Sequence, residues 1–283
     1  MTKVLACIDA STYGTSVCDH AAWAAQNLNC DVKLLHVLDR APDAVPQDLS
    51  GSIGLGASEH LLEDLAKLDE HRGKLRMERG RAILEAAKSR VETAGIGTVT
   101  TRLRHGGLVD NVHELEDDVR LVVLGKRGER SDFAKAHLGG SIEQVVRATR
   151  LPVLIASREF KPIQRLLIAF DGGASSRKAV EFLVSDPAFS RFECHVVMAG
   201  HPKGDDAAHL AWARERLVSA GGTHQVLQRH GEPEAVITDY AREEKIDLLV
   251  MGAYGHSPIR RFFVGSTTTA MIRIALLPVL LFR

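Results

Sequence analysis

The chain has 283 residues, 45% of them hydrophobic and 25% charged, a composition that excludes wholesale disorder and a membrane-spanning role. Its 36 basic and 36 acidic residues give a formal net charge of zero, so it lacks the basic surplus with which proteins coat DNA or an anionic membrane. At roughly 150 residues per domain, the length predicts two domains.

In chain order, short apolar runs alternate with amphipathic stretches. Val4–Ile8 predicts a strand and is too short for the apolar core of a signal peptide. No run reaches the roughly 18 apolar residues of a spanning helix, so the expected location is the cytoplasm. Next come a helix from about Thr15 to Leu28, a strand at Val32–Val37 and a long helix from about Ser58 to Ala94. A strand at Val99–Leu103, a helix at Val109–Leu115, a strand at Leu121–Leu124, a helix at Ile142–Thr149 and a strand at Val153–Ile155 follow. Nearly all-apolar strands in β-α-β-α order predict a parallel sheet covered on both faces. Cys7, Cys18, Cys30 and Cys194 form no CxxC pair and read as plain thiols of a reducing compartment.

After Pro162 the pattern restarts. Phe170-Asp171 answers Ile8-Asp9, and Arg229-His230-Gly231 echoes Arg104-His105-Gly106. Leu249-Val250-Met251-Gly252 echoes Val122-Val123-Leu124-Gly125, and Leu277-Pro278-Val279-Leu280 matches Leu151-Pro152-Val153-Leu154. The same chemistry in the same order means a duplicated domain, with expected units 1–159 and 160–283. The offset between copies drops from 162 residues at the aspartates to 125–127 at the later landmarks. About 36 surplus residues therefore lie in the first copy, between roughly Arg40 and Arg76. They begin as a Pro- and Gly-rich loop and continue as a helix with Leu61, Leu62, Leu65 and Leu68 at helical spacing. A surface elaboration covering apolar area is the favoured reading; a lid or docking arm is the alternative.

The strongest local motif is Gly252-Ala253-Tyr254-Gly255, followed after nine residues by Gly265-Ser266-Thr267 at the start of a helix expected over Thr268–Ala275. The glycines let the backbone leave the strand in conformations that cost other residues about 1–2 kcal/mol. Free N–H groups, a helix dipole and two hydroxyls then converge, which suits phosphate oxygens. Asp171, ending the first strand of that half, faces the same crevice beyond the strand ends. A P-loop is absent, and Gly51, Gly54 and Gly56 follow no strand and lack the third glycine of a dinucleotide fingerprint.

With these residues the chain resembles a tandem member of the universal stress protein family. Ile8-Asp9, Phe170-Asp171, His36-Val37, Gly125-Lys126-Arg127-Gly128, the Gly252–Thr267 spacing and both Pro-Val-Leu strands carry the likeness. The resemblance implies two doubly wound five-stranded parallel-sheet domains, strand order 3-2-1-4-5, in a Rossmann-like, adenine nucleotide alpha hydrolase-like fold. One branch of the family binds ATP through G-2x-G-9x-G-[ST] and the first-strand aspartate. Carried over, the second site comprises Asp171, Gly252, Gly255, Gly265, Ser266 and Thr267. The first comprises Asp9, Gly125, Gly128, Gly139 and Ser141, but ten residues separate Gly128 from Gly139, and Gly140 takes the hydroxyl position. Nucleotide is therefore expected more strongly in the second half than in the first. The implied ligand is ATP or ADP, with or without Mg2+.

Lys126, Arg127, Arg130, Arg260 and Arg261 could neutralise phosphates, but basic residues of exposed loops are more often solvated. His105 and His230 read as strand-end packing, His36 as a neighbour of the pocket rim, and Trp23 and Trp212 as helix–sheet core. His113-Glu114 lacks a second helical histidine, so no zinc site follows. The closing apolar strands Val153–Ile155 and Val279–Phe282 need cover at a sheet edge. Family members dimerise through this strand, so the two halves are expected to pair with each other, and a further homodimer is plausible. The leading functional reading is a stress-response protein that senses or stores adenine nucleotide. The alternatives are a nucleotide-free scaffold, or a slow ATPase or autophosphorylating protein with Ser266, Thr267 or Ser141 as acceptor. Neither nucleic acid nor membrane is expected as a partner.

Overall fold

The computed structural model describes residues 2–38, 55–128, 140–253, 271–272 and 276–283, with side chains left out at 55–62 and 140–141. The first repeat runs β1 (Lys3–Cys7), α1 (Gly14–Leu28), β2 (Asp31–Leu38), α2 (Leu55–Thr93), β3 (Val99–His105), α3 (Leu108–Glu114), β4 (Val119–Gly125), α4 (Gly140–Ala148) and β5 (Val153–Ala156). The second runs β6 (Arg165–Ala169), α5 (Ala174–Ser185), β7 (Glu193–Ala199), α6 (Asp206–Ala220), β8 (His224–Arg229), α7 (Pro233–Glu243), β9 (Leu248–Gly252) and β10 (Val279–Phe282). Local chemistry explains several boundaries. Asn29, at φ 48°, closes α1 by donating its N–H to Ala25 O, a left-handed cap that asparagine tolerates. Pro233 opens α7, where its missing N–H costs nothing.

Ten strands form one sheet in the order β3-β2-β1-β4-β5-β10-β9-β6-β7-β8. Each half is parallel throughout, with order 3-2-1-4-5. The halves join where β5 and β10 pair antiparallel, Leu154 opposite Leu280, with Ile155–Val279 and Val153–Leu281 on either side. Each apolar strand thus covers the other's hydrogen-bonding edge, which removes two sticky edges at once.

Alternate strand residues feed two apolar layers that run across both repeats. Val4, Val123, Leu154, Leu280, Val250 and Ile168 belong to the layer under α1, α2, α5 and α6. Leu5, Val122, Ile155, Leu281, Leu249 and Leu167 belong to the layer under α3, α4 and α7. Side-chain contacts bolt the seam on the first face. Ser16 Oγ donates to Ser157 O at 2.8 Å, and buried His20 meets Phe160 edge-on at 4.9 Å. Arg120 pairs with Asp186 at 3.3 Å, and Trp23 lies 6.0 Å from Phe192. Trp23 is therefore a seam residue, packed across the repeats, whereas Trp212 stacks on Phe170 within the second repeat at 6.1 Å. Cys18, Cys30 and Cys194 are buried and Cys7 partly so, all as free thiols. Burial pushes Cys7, Cys18 and Cys194 up to about 12, which leaves them unreactive.

The long helix α2 has two parts. The C-terminal part of α2 lies on β2 and β3, close enough that a Cβ on Gly80 would come 2.8 Å from Leu103 Cδ1 and 3.0 Å from His36 Cδ2. Residues 63–76 are exposed on every side. Leu65, Leu68 and Leu75 are among these exposed residues. The loop ahead of the helix, 39–54, lies outside the described residues.

Candidate functional site

Both repeats bring the loop after their first strand against the loop after their fourth, at the carboxyl ends of neighbouring parallel strands. In the first repeat, Ile8 N–H extends the ladder to Leu35 O at 2.8 Å, and the chain then turns. Asp9 Oδ1 accepts the Ser11 N–H at 3.1 Å and Ser11 Oγ accepts the Tyr13 N–H at 3.2 Å, two side-chain turns that aim the chain into α1. A Cβ on Gly14 would sit 2.7 Å from Asp9 O, and one on Gly125 would sit 2.8 Å from Tyr13 Cβ. A Cβ on Gly128 would lie 3.1 Å from Asp9 Oδ2, so the β4 loop presses its backbone on the Asp9 carboxylate. His36, buried beside this turn, donates from Nδ1 to Ile8 O at 2.7 Å and steadies the strand end.

The second repeat builds the same corner from different side chains. Asp171 Oδ1 accepts the Gly173 N–H at 2.9 Å and the Ser176 hydroxyl at 2.6 Å, tying the strand end to the first turn of α5. A Cβ on Gly252 would stand 3.0 Å from Ser175 Cβ and 3.4 Å from Ser176 N. Ser175 thereby occupies the place of Tyr13. Gly172, at φ 72°, is hemmed by His209, whose Nδ1 would be 2.0 Å from an added Cβ; any other residue is excluded both by conformation and by space. Arg177 closes the other side, donating from Nε to Gly172 O at 3.0 Å while its guanidinium lies 4.4 Å from the Trp212 ring.

The glycine requirement has a different cause from the one expected. Gly125, Gly128 and Gly252 are absent from the described residues with positive φ, so close approach of two loops selects glycine there. Electrostatics differ as well. Lys126 is half-buried between the two glycines rather than solvated, and burial, helped by the neighbouring Arg127 charge, lowers it to about 8. The recurring His-Gly pairs also read differently in three dimensions. Both imidazoles are exposed, His230 Nδ1 meeting His201 Nδ1 at 3.2 Å, and the repeated demand falls on Gly106 and Gly231, at φ 104° and 133°.

Gly139, Gly255, Gly265, Ser266, Thr267, Arg130, Arg260 and Arg261 lie outside the described residues. Ser141 is described only as backbone within α4, and the expected closing helix is represented by helical residues 271–272. Among the described residues no group of three or more His, Cys, Asp or Glu could hold a metal, and no helix is long and apolar enough to cross a membrane. Tyr13, Ser176, Arg177 and His209 join the site only in space. Among these, Ser176 carries a faint sequence signal, a hydroxyl five residues after Asp171 at a helix start.

The universal stress protein family model matches the chain twice, over residues 1–157 and 162–283. The chain belongs to the universal stress protein family. A universal stress protein of Synechocystis sp. is 38% identical over 287 residues, covering 100% of both chains. One from Mycobacterium tuberculosis is 22% identical over 297 residues, covering 95% of this chain and 92% of the relative. The crystal structure of a universal stress protein from Archaeoglobus fulgidus superposes with a TM-score of 0.74 at 18% identity, covering 100% of this chain and 96% of the other. Full-length coverage at that TM-score means the tandem α/β architecture itself is shared.

Proposed function

We propose that this universal stress protein, built of repeats 1–159 and 160–283, is a cytoplasmic regulator that binds adenine nucleotide at the strand-end corners. The observation that carries the reading is the close approach of Gly128 to Asp9, where a Cβ on the glycine would lie 3.1 Å from Asp9 Oδ2. It holds a carboxylate able to accept ribose hydroxyls against a loop able to offer backbone N–H groups to phosphate. Asp171 and Gly252 occupy the matching strand ends in the second repeat. Lys126, in the same loop between Gly125 and Gly128, adds positive charge beside the place a phosphate would take. The fit favours ATP or ADP, with or without Mg2+, held by Asp9, Gly125, Gly128, Gly139 and Ser141 in one repeat and by Asp171, Gly252, Gly255, Gly265, Ser266 and Thr267 in the other.

Regulation rather than catalysis follows from the work the aspartates already do. Asp9 Oδ1 and Asp171 Oδ1 organise their own turns, a positioning role rather than that of a base poised to activate water. The test is to denature purified protein, identify any released nucleotide, and titrate ATP, ADP and AMP into wild type, Gly128→Val and Gly252→Val. Binding that each valine weakens is expected, without conversion to ADP. Wild type that neither carries nor binds adenine nucleotide overturns the reading; ADP formation at the rate of a turnover enzyme overturns its regulatory half.

A further inference from the structure

Two imidazoles face each other at one end of the second repeat's sheet. β7 and β8 run parallel, with Ala199 opposite Arg229 at their carboxyl ends. Gly200 N–H donates to Arg229 O at 2.9 Å and carries the pairing one residue past β7. His201 and His230 follow at once, Nδ1 to Nδ1 at 3.2 Å, with ring centroids 5.2 Å apart and ring planes at 71°. The backbone fixes that meeting. Gly200 and Gly231, at φ 113° and 133°, give the two loops turns that residues with side chains rarely adopt. A Cβ on Gly231 would also come 2.9 Å from Val236 Cγ2. Asp206 Oδ2 ties the His201 loop to β8, accepting the Lys203 N–H at 2.9 Å and Gln228 Nε2 at 3.1 Å. Arg229, adjacent to His230, commits its charge elsewhere, to Glu243 at 2.6 Å and over the Tyr240 ring at 4.5 Å.

We propose that His201 and His230 chelate a divalent late transition ion, Zn2+, Ni2+ or Cu2+, through their Nδ1 atoms. Two bonds of about 2.0–2.1 Å meeting at a tetrahedral angle hold their nitrogens about 3.3 Å apart, so the observed 3.2 Å needs little movement. Neutral imidazole suits these ions, whereas Mg2+ and Ca2+ demand oxygen ligands. Without metal, one ring donates its Nδ1–H to the other ring's Nδ1. With metal, the donor ring carries its proton on Nε2 instead, and both Nδ1 lone pairs bond the ion with no net proton released. Both rings are exposed, so water serves the Nε2–H groups and the remaining coordination positions. Among the described residues no third His, Cys, Asp or Glu joins the pair, which makes the site an open one. The pair belongs to the second repeat alone. In sequence, the first repeat carries His105 at the place of His230 but Asp39 at that of His201, so one ion per chain is expected.

The test is calorimetric titration of ZnCl2 into the full chain, stripped with EDTA and freed of any tag. A single equivalent bound with micromolar Kd is expected. His201→Ala and His230→Ala are each expected to weaken it by about tenfold or more, with unchanged circular dichroism. His113→Ala, which removes an exposed histidine elsewhere, is expected to leave it as it was. Cu2+ on wild type is expected to show two imidazole nitrogens by electron paramagnetic resonance, and on each single variant one. Wild type that binds no Zn2+, or binds it as tightly after either substitution at the pair, overturns the proposal. Equal weakening by His113→Ala does so too, as does one copper-bound imidazole or none in wild type. Mg2+ that competes with Zn2+ on equal terms overturns the nitrogen ligation. None of these outcomes depends on nucleotide binding.

Discussion

Replacing Asp171 by alanine and by asparagine separates two jobs of one carboxylate. Its Oδ1 accepts the Gly173 N–H and the Ser176 hydroxyl at 2.9 and 2.6 Å. Alanine removes both bonds. Ser176, 1% exposed, still reaches Gly173 O at 3.1 Å, whereas the Gly173 N–H loses this acceptor. Hydrogen bonds to charged groups contribute about 1.5–3 kcal/mol each when buried. Asp171 is exposed, so solvent reduces the loss to about 1–2 kcal/mol. Asparagine keeps the acceptor oxygen and removes the charge, so its stability cost is below about 1 kcal/mol. Nucleotide affinity is expected to respond in another ratio. If the charged carboxylate holds ribose hydroxyls, asparagine weakens ATP by about 10- to 100-fold, for a charge-assisted bond of about 1.5–3 kcal/mol. Urea denaturation and isothermal titration of the same preparations read the two quantities. Asparagine that binds ATP like wild type refutes the carboxylate as a ligand contact. A loss of affinity that tracks the loss of stability makes Asp171 a purely structural residue.

Lys126 has its folded value lowered to about 8 by burial and by Arg127. Between about pH 8 and 10.5 the folded chain therefore binds fewer protons than the unfolded chain, and stability from this group rises with pH. Bound phosphate favours the ammonium form, so ATP binding at about pH 8.5 is expected to take up protons. Titrations in buffers of different ionisation enthalpy measure that uptake; none, or uptake that survives Lys126→Met, counts against the assignment. Asp118 is held down at about 2 by hydrogen bonds from Lys3 and Lys33, so its contribution is full above about pH 4 and lost as pH falls toward 2. The urea midpoint of Asp118→Asn is expected to converge on wild type over that window and to stay lower above it. A gap independent of pH refutes the coupling. Leu154, fully buried opposite Leu280, is expected to cost about 2–5 kcal/mol when cut to alanine. Both repeats should then unfold earlier together, followed by Trp23 in the Trp212→Phe background and by Trp212 in the Trp23→Phe background. A Trp212 signal that does not move shows the repeats to be independent.

Much of the fold was legible because burial on both faces writes itself as apolar runs, and duplication wrote them twice. The β4 run around Val122–Leu124 and the β9 run around Leu249–Met251 could be placed by that pattern alone. The corner glycines were legible too, but their reason was not. Sequence suggests unusual torsion at Gly252, whereas its neighbour Ser175 across the corner forbids a side chain. That kind of contact has no local signature, since it joins residues 77 positions apart.

Sequence by itself determined the duplicated α/β architecture, the surplus in the first copy, and which aspartates and glycines end the strands, because these depend on periodicity and order along the chain. Tertiary structure alone decided the rest. It set Trp23 against Phe192 across the seam, half-buried Lys126, set His209 against Gly172, and left Leu65, Leu68 and Leu75 of α2 exposed. Each depends on which surfaces meet, and that has no signature within a single helix or strand.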